Sequence, residues 1–112
     1  MYYLIDAAER RRRGGTLYFE FQRGPFRGRH WQEDSVYLSA DLFDDLRLYD
    51  LFIRALPHFD YYYVTEVNAA QFQTLRAMAE EYHSTAWRIL EELAPCAERW
   101  LESDGVFTIC GI

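Results

Sequence analysis

Residues 60–82 read DYYYVTEVNAAQFQTLRAMAEEY, and the pattern changes period part-way along. Residues 60–67 are dense in Tyr and β-branched side chains, which suit a pleated surface. Their aromatics fall at consecutive positions, as expected of a strand inside a sheet. At Asn68 the pattern turns helical. Asn68 followed three positions later by Gln71 is a capping box, in which each side chain satisfies the other's backbone N–H. It predicts a helix over 69–82 with Phe72, Leu75, Met78 and Tyr82 on its apolar stripe. A strand handing over directly to a helix points to an α+β class.

The neighbouring segments extend that reading in both directions. Residues 16–22 alternate, with Leu17, Phe19 and Phe21 on one face and Tyr18, Glu20 and Gln22 on the other, which predicts a strand. A second short strand is expected near 36–38. Residues 2–5 read as a short strand or the lead-in to a short helix, the charge run 9–13 before Gly14-Gly15 as a solvated turn, and 23–29 as a loop. Ser39 is a helix N-cap with Asp41 in the first turn. The helix it opens spans 40–56, turns Leu42, Leu46, Tyr49, Ile53 and Leu56 inward, and ends at Pro57. Downstream, His83-Ser84 reads as a break with Ser84 capping the next helix. That helix buries Trp87, Leu90, Leu93, Ala97 and Trp100 or Leu101, with Pro95 as a kink or boundary. Asp104-Gly105 is a turn. The apolar stretch 106–112 belongs inside a sheet, because an exposed strand of this kind invites aggregation. The expectation is one domain over 1–112, a small β-sheet packed against about three helices.

Composition sets the bounds on function. The chain has 112 residues, half of them apolar or aromatic, with nine Tyr, eight Phe and three Trp, enough for one core and too rich for disorder. The net charge of −6 is unevenly spread. Residues 1–32 carry seven arginines against Asp6, Glu9 and Glu20; residues 33–112 carry five arginines against fifteen carboxylates. The later part is therefore strongly anionic, a field that repels nucleic acid and attracts basic protein surfaces. The same acidity also serves plain solubility. Every basic residue is Arg, which suits planar pairing at interfaces and equally reflects a codon bias. No charged leader precedes an apolar stretch, and no apolar run approaches the ~20 residues of a membrane span. A cytoplasmic protein with reduced, structural Cys96 and Cys110 is expected, and no membrane association.

Chemistry-bearing motifs are sparse. Cys96 and Cys110 lack metal or redox spacing, and His30, His58 and His83 lie far apart with no ligand partner at helix spacing. A Cys110–His58 encounter is the sort of pair any small protein offers. No HExxH, GxSxG or phosphate-cradling loop occurs, so neither catalytic residue, cofactor nor metal is expected.

Three other groupings carry functional readings. Asp41, Asp44 and Asp45 project within roughly a 100° arc of one helix, while Asp50 is placed to pair with Arg54 at i, i+4. These acids read as a solvated face, or as an anionic patch that imitates phosphates and docks on a basic cleft. Asp60, Tyr61, Tyr62, Tyr63 and Glu66 form the second grouping. Alternate side chains of a strand face opposite ways, so at least one phenol is exposed beside carboxylates, as at interfaces or over a small sheet. The third is Arg10–Arg13 with Arg23, Arg27, Arg29, His30 and Trp31, a basic segment with interleaved aromatics that suits single-stranded nucleic acid. The acidic remainder opposes it, and internal pairing of these arginines with the acidic part is the competing reading.

At 59–67, FDYYYVTEV, and at 107–112, FTICGI, the chain resembles bacterial immunity proteins encoded beside contact-dependent growth inhibition and other polymorphic toxins. Members have a helix leading to an aromatic-acidic strand with a Thr-Glu pair, then helices, then a short apolar C-terminal strand of the FTI-x-G type. Thr65 and Glu66 match the pair and Gly111 the late glycine, and the likeness spans about 39–112. It implies a cytoplasmic antidote that binds one cognate toxin domain, commonly a nuclease and often an RNase with a basic cleft. The candidate contacts are Asp41, Asp44, Asp45, Asp60, Tyr61, Tyr63 and Glu66. Two rivals stand beside this reading. A nucleic-acid-binding or regulatory module would use the Arg-rich start and bind in a salt-sensitive way. A small enzyme or ligand-binding domain would need a deep pocket with converging polar groups.

Overall fold

The switch from strand to helix falls at Asn68 in the computed structural model, which describes residues 1–112. The chain runs β1 (Ile5–Asp6), α1 (Ala7–Arg13), β2 (Tyr18–Arg23), β3 (Val36–Ser39), α2 (Ala40–Asp45), α3 (Leu48–Ala55), β4 (Val64–Asn68), α4 (Ala69–Tyr82), α5 (Ser84–Asp104) and β5 (Val106–Cys110). One antiparallel sheet has the order β1-β3-β2-β5-β4, so the C-terminal strand lies inside it, as its apolar character required. The class is α+β.

Strand register sorts the side chains. Phe19 faces Leu38, Phe21 faces Val36 and Ile109, and Val67 faces Phe107, all on the helix-covered side. The Phe107 ring meets Phe72 of α4 edge-on at 5.4 Å and Trp100 of α5 at 6.3 Å, which locks both long helices onto the sheet. Arg76 on α4 ties the pair further through Glu91 (2.5 Å) and Glu98 (3.3 Å) on α5. The other side of the sheet is also covered. Glu20, Gln22, Tyr37, Thr108 and Cys110 are buried beneath the 24–35 loop and α1, where the guanidinium of Arg10 sits 4.4 Å above the Trp31 ring.

Several elements differ from their sequence reading. The charge run 9–13 is the end of α1, because Asp6 caps it by accepting from Glu9 N at 2.8 Å. The expected 40–56 helix is two helices, broken where Arg47 takes a left-handed conformation with φ 55°. The break resets the helical phase: Phe43, Leu48, Leu51, Phe52 and Ala55 are buried, whereas Tyr49 is turned out. Asp50 and Arg54 form no ion pair. On α4 the inward residues are Phe72, Leu75 and Ala79, and Tyr82 is exposed. The cap of α5 is His83, whose Nδ1 accepts from Ala86 N at 3.1 Å, and not Ser84. Pro95 neither bounds α5 nor interrupts it.

Candidate partner-docking surface

The Ser39 hydroxyl accepts from Leu42 N at 3.4 Å and starts α2. Ala40 and Phe43 then turn inward, which leaves Asp41, Asp44 and Asp45 on the outer side. The Phe43 ring is held by Phe19 at 4.2 Å and Phe52 at 5.3 Å, so the acidic face is anchored to the sheet.

The tyrosine triplet is not on a strand. Strand pairing begins only at Val64, because local hydrogen bonds claim the preceding residues. Phe59 N donates to the Leu56 carbonyl at 2.8 Å, Asp60 N to Thr65 Oγ1 at 3.0 Å, and Tyr62 N to Asp60 Oδ1 at 2.9 Å. The last of these is an Asx turn, in which a short acidic side chain competes with ladder hydrogen bonds. The C-terminal end of the chain clamps this turn: Gly111 N donates to the Tyr63 carbonyl at 2.6 Å and Ile112 N to that of Tyr61 at 2.8 Å.

The turn splits the three phenols. Tyr61 folds inward against Phe19 (5.2 Å) and Phe43 (6.0 Å), while Tyr62 and Tyr63 stay 77% and 69% exposed. The Tyr61 hydroxyl donates to Asp44, at 2.9 and 3.0 Å from its two oxygens, and so bridges the first acidic grouping to the second. Burial and the Asp44 carboxylate push the Tyr61 hydroxyl up to about 12. Tyr49, Phe59, Asp60, Tyr61 and Tyr62 line an open cleft of about 500 Å³, and Asp44 and Asp50 lie along an adjoining groove with Arg47.

The structure therefore unites Asp44, Asp60 and Tyr61, with Asp41 close enough to act on the Tyr61 hydroxyl. Asp45 and Tyr63 are exposed nearby in sequence, and their side chains form no hydrogen bond or ion pair with this cluster. Glu66 is separate: it alternates with inward-facing Thr65 and Val67 and projects from the opposite side of the sheet, beside Thr108. Tyr49, Phe59, Tyr62 and Asp50 were not among the expected contacts. The Asx-turn signal of Asp60, three residues past Pro57, was the cue that would have placed Tyr62 outside a strand.

The six ion pairs of the molecule join Arg11 to Glu33, Arg12 and Arg13 to Glu9, Arg23 to Asp104, and Arg76 to Glu91 and Glu98. None reaches Asp41, Asp44, Asp45, Asp50, Asp60 or Glu66. Of the four pairs made by N-terminal arginines, two stay with Glu9 and two reach Glu33 and Asp104 of the acidic part. Two of the aromatics that would stack nucleotides are engaged internally, Trp31 against Tyr37 at 5.9 Å and Phe26 against His30 at 5.3 Å.

A second constellation lies beneath the 24–35 loop. Glu20 is fully buried, accepting from Trp31 N (2.9 Å), Gln32 N (2.8 Å) and Ser35 Oγ (2.7 Å), while Tyr37 OH donates to the Gln32 carbonyl at 2.8 Å. The histidine that comes near Cys110 is His30; donor atoms of Glu20, His30 and Cys110 all lie within 4.8 Å of one another. His58 Nε2 instead bonds the Glu66 carbonyl at 2.7 Å. Burial, reinforced by the Glu20 carboxylate, pushes the Cys110 thiol up to about 12, far from the ready thiolate of a nucleophile. No helix is long and apolar enough to cross a membrane. Comparison with protein-family models, curated proteins and solved structures gives no match to this chain.

Proposed function

We propose that the protein is a cytoplasmic immunity protein, without enzymatic activity of its own, that binds and neutralises a cognate cationic toxin domain of the nuclease class. The observation that carries this reading is the cluster around Asp44, Asp60 and Tyr61. Its carboxylates have no arginine partner within the molecule and sit beside exposed Tyr49 and Tyr62. Carboxylates that repel one another are stabilised when a basic surface covers them, and exposed phenols add contact area at small entropic cost. Interface energy concentrates in a few such residues, so the docking centre is placed at Tyr61, Tyr62 and Asp60, with Asp41 and Asp44 at its rim.

Co-expression with the product of the adjacent reading frame, once that product alone is seen to arrest growth, tests the proposal. The wild-type chain is expected to restore growth. The Asp44→Lys/Asp60→Lys double variant, folded by circular dichroism, is expected to lose protection. Full protection by that variant removes the acidic surface from the mechanism, and failure of the wild-type chain to protect removes the immunity reading.

A further inference from the structure

We propose that Glu20, His30 and Cys110 form a zinc site that fastens the 24–35 loop to the outer side of the sheet. Glu20 and Cys110 are cross-strand partners on β2 and β5, so their side chains rise from adjacent positions on one side, and each is only 1% exposed. His30 descends from the covering loop. With Tyr18, Trp31 and Tyr62 these three line a cleft of about 410 Å³, which leaves a fourth direction open to water.

Charge and donor chemistry both favour a cation here. Glu20 is the one fully buried acid in the molecule, yet no arginine or histidine forms an ion pair with it. Its Oε2 accepts from Gln32 N and Ser35 Oγ, but Oε1 accepts only from Trp31 N and keeps a free lone pair. Cys110 Sγ and the His30 ring have no hydrogen-bond partner. A thiolate, an imidazole and a carboxylate together select zinc over magnesium or calcium, which take oxygen donors. Zinc bonds of ~2.0–2.3 Å bring donors to roughly 3.5 Å from one another. The present spacing, within 4.8 Å, needs a contraction that exposed His30 can supply by moving in from its loop. On binding, the Cys110 S–H bond breaks, its proton passes to solvent and a Zn–S bond forms. The cleft shares Tyr62 with the proposed docking surface, but its three ligands belong to the other side of the sheet, and metal binding is read without any toxin.

The untagged full chain, stripped with a chelator, is titrated with Zn²⁺ against a chromophoric competitor and separately with Co²⁺. One equivalent of metal is expected, with a thiolate-to-cobalt charge-transfer band and a zinc-dependent rise in melting temperature. Cys110→Ser is expected to abolish the band. His30→Ala, at an exposed position that keeps the fold, is expected to weaken zinc by at least about tenfold, the loss that removal of even an outer-shell partner brings. Cys96→Ser should change neither. Absence of the band in the wild type, its survival in Cys110→Ser, its loss in Cys96→Ser, or unaltered affinity in His30→Ala overturns the proposal.

Discussion

At the scale of single residues, Gly111 shows how space alone fixes an identity. It does not adopt a positive φ, so backbone freedom is not the reason for glycine. A Cβ there would lie 2.2 Å from the Tyr61 carbonyl oxygen and 2.8 Å from that of Tyr63. Both are backbone atoms held by the hydrogen bonds that clamp the turn, so neither can step aside cheaply. Gly111→Ala is therefore expected to cost about 1–3 kcal/mol, the range for forced overpacking, read as a lower urea midpoint. Under the proposed immunity function it should also weaken toxin capture, because the displaced turn carries Tyr61 and Tyr62. An unchanged midpoint would contradict the steric argument. In the sequence, this glycine was visible only through its likeness to a family pattern; the contact that explains it joins residues about fifty positions apart. The Asp44–Tyr61 bridge was hidden for the same reason.

At the scale of elements, legibility followed the locality of the signal. The Asn68–Gln71 capping box and the Ser39 cap are hydrogen bonds made within three residues, and both occur as read. The break at Arg47 has no Gly, Asn or Pro to announce it, and tertiary packing of Phe43 and Phe52 around Phe59 outweighs the cost of a left-handed arginine. Residues 60–63 look like strand by composition, but side-chain-to-backbone bonds from Asp60 and Thr65 win over the ladder. Pro95 is the converse, a strong local breaker overridden by packing on both sides of it. Leu93, Ala94 and Ala97 are buried on α5, and Pro95 itself is exposed. It forfeits the N–H bond to the Glu91 carbonyl. Proline costs about 3 kcal/mol against alanine inside a helix. Loss of its restriction on the unfolded chain offsets up to about 1 kcal/mol of any gain. Pro95→Ala is expected to raise stability by about 2 kcal/mol in urea unfolding, and a fall in the midpoint would mean that the proline ring itself stabilises α5.

At the scale of the molecule, alternation on β2 correctly sorted Phe19 and Phe21 from Glu20 and Gln22, but could not show that a loop would cover the polar side. Glu20 and Gln22 are consequently buried, not solvated, and the sheet is enclosed on both sides. Charge at this scale is compensated in part, since Arg11 and Arg23 reach Glu33 and Asp104 of the acidic part while the acids of α2 form no ion pair. Enclosure has a consequence for alkaline stability. The hydroxyls of Tyr61 and Tyr37, one on each side of the sheet, are both raised from 10.0 to about 12, by burial first and then by the carboxylates of Asp44 and Glu20. A group whose folded value is raised contributes stability that is complete below its unfolded value and is lost as pH climbs through the folded one. Stability is thus expected to fall between pH 10 and about 12. In that window the unfolded chain sheds protons that the folded chain retains. Tyr61→Phe tests the assignment, since it removes one late-ionising phenol together with its bond to Asp44. Its ultraviolet titration should lose a component near pH 12, and its stability should decline less steeply above pH 10 than that of the wild type. Identical alkaline limbs in the two proteins would mean that Tyr61 is not held by Asp44, and the bridge that joins the two halves of the proposed docking surface would be absent in solution.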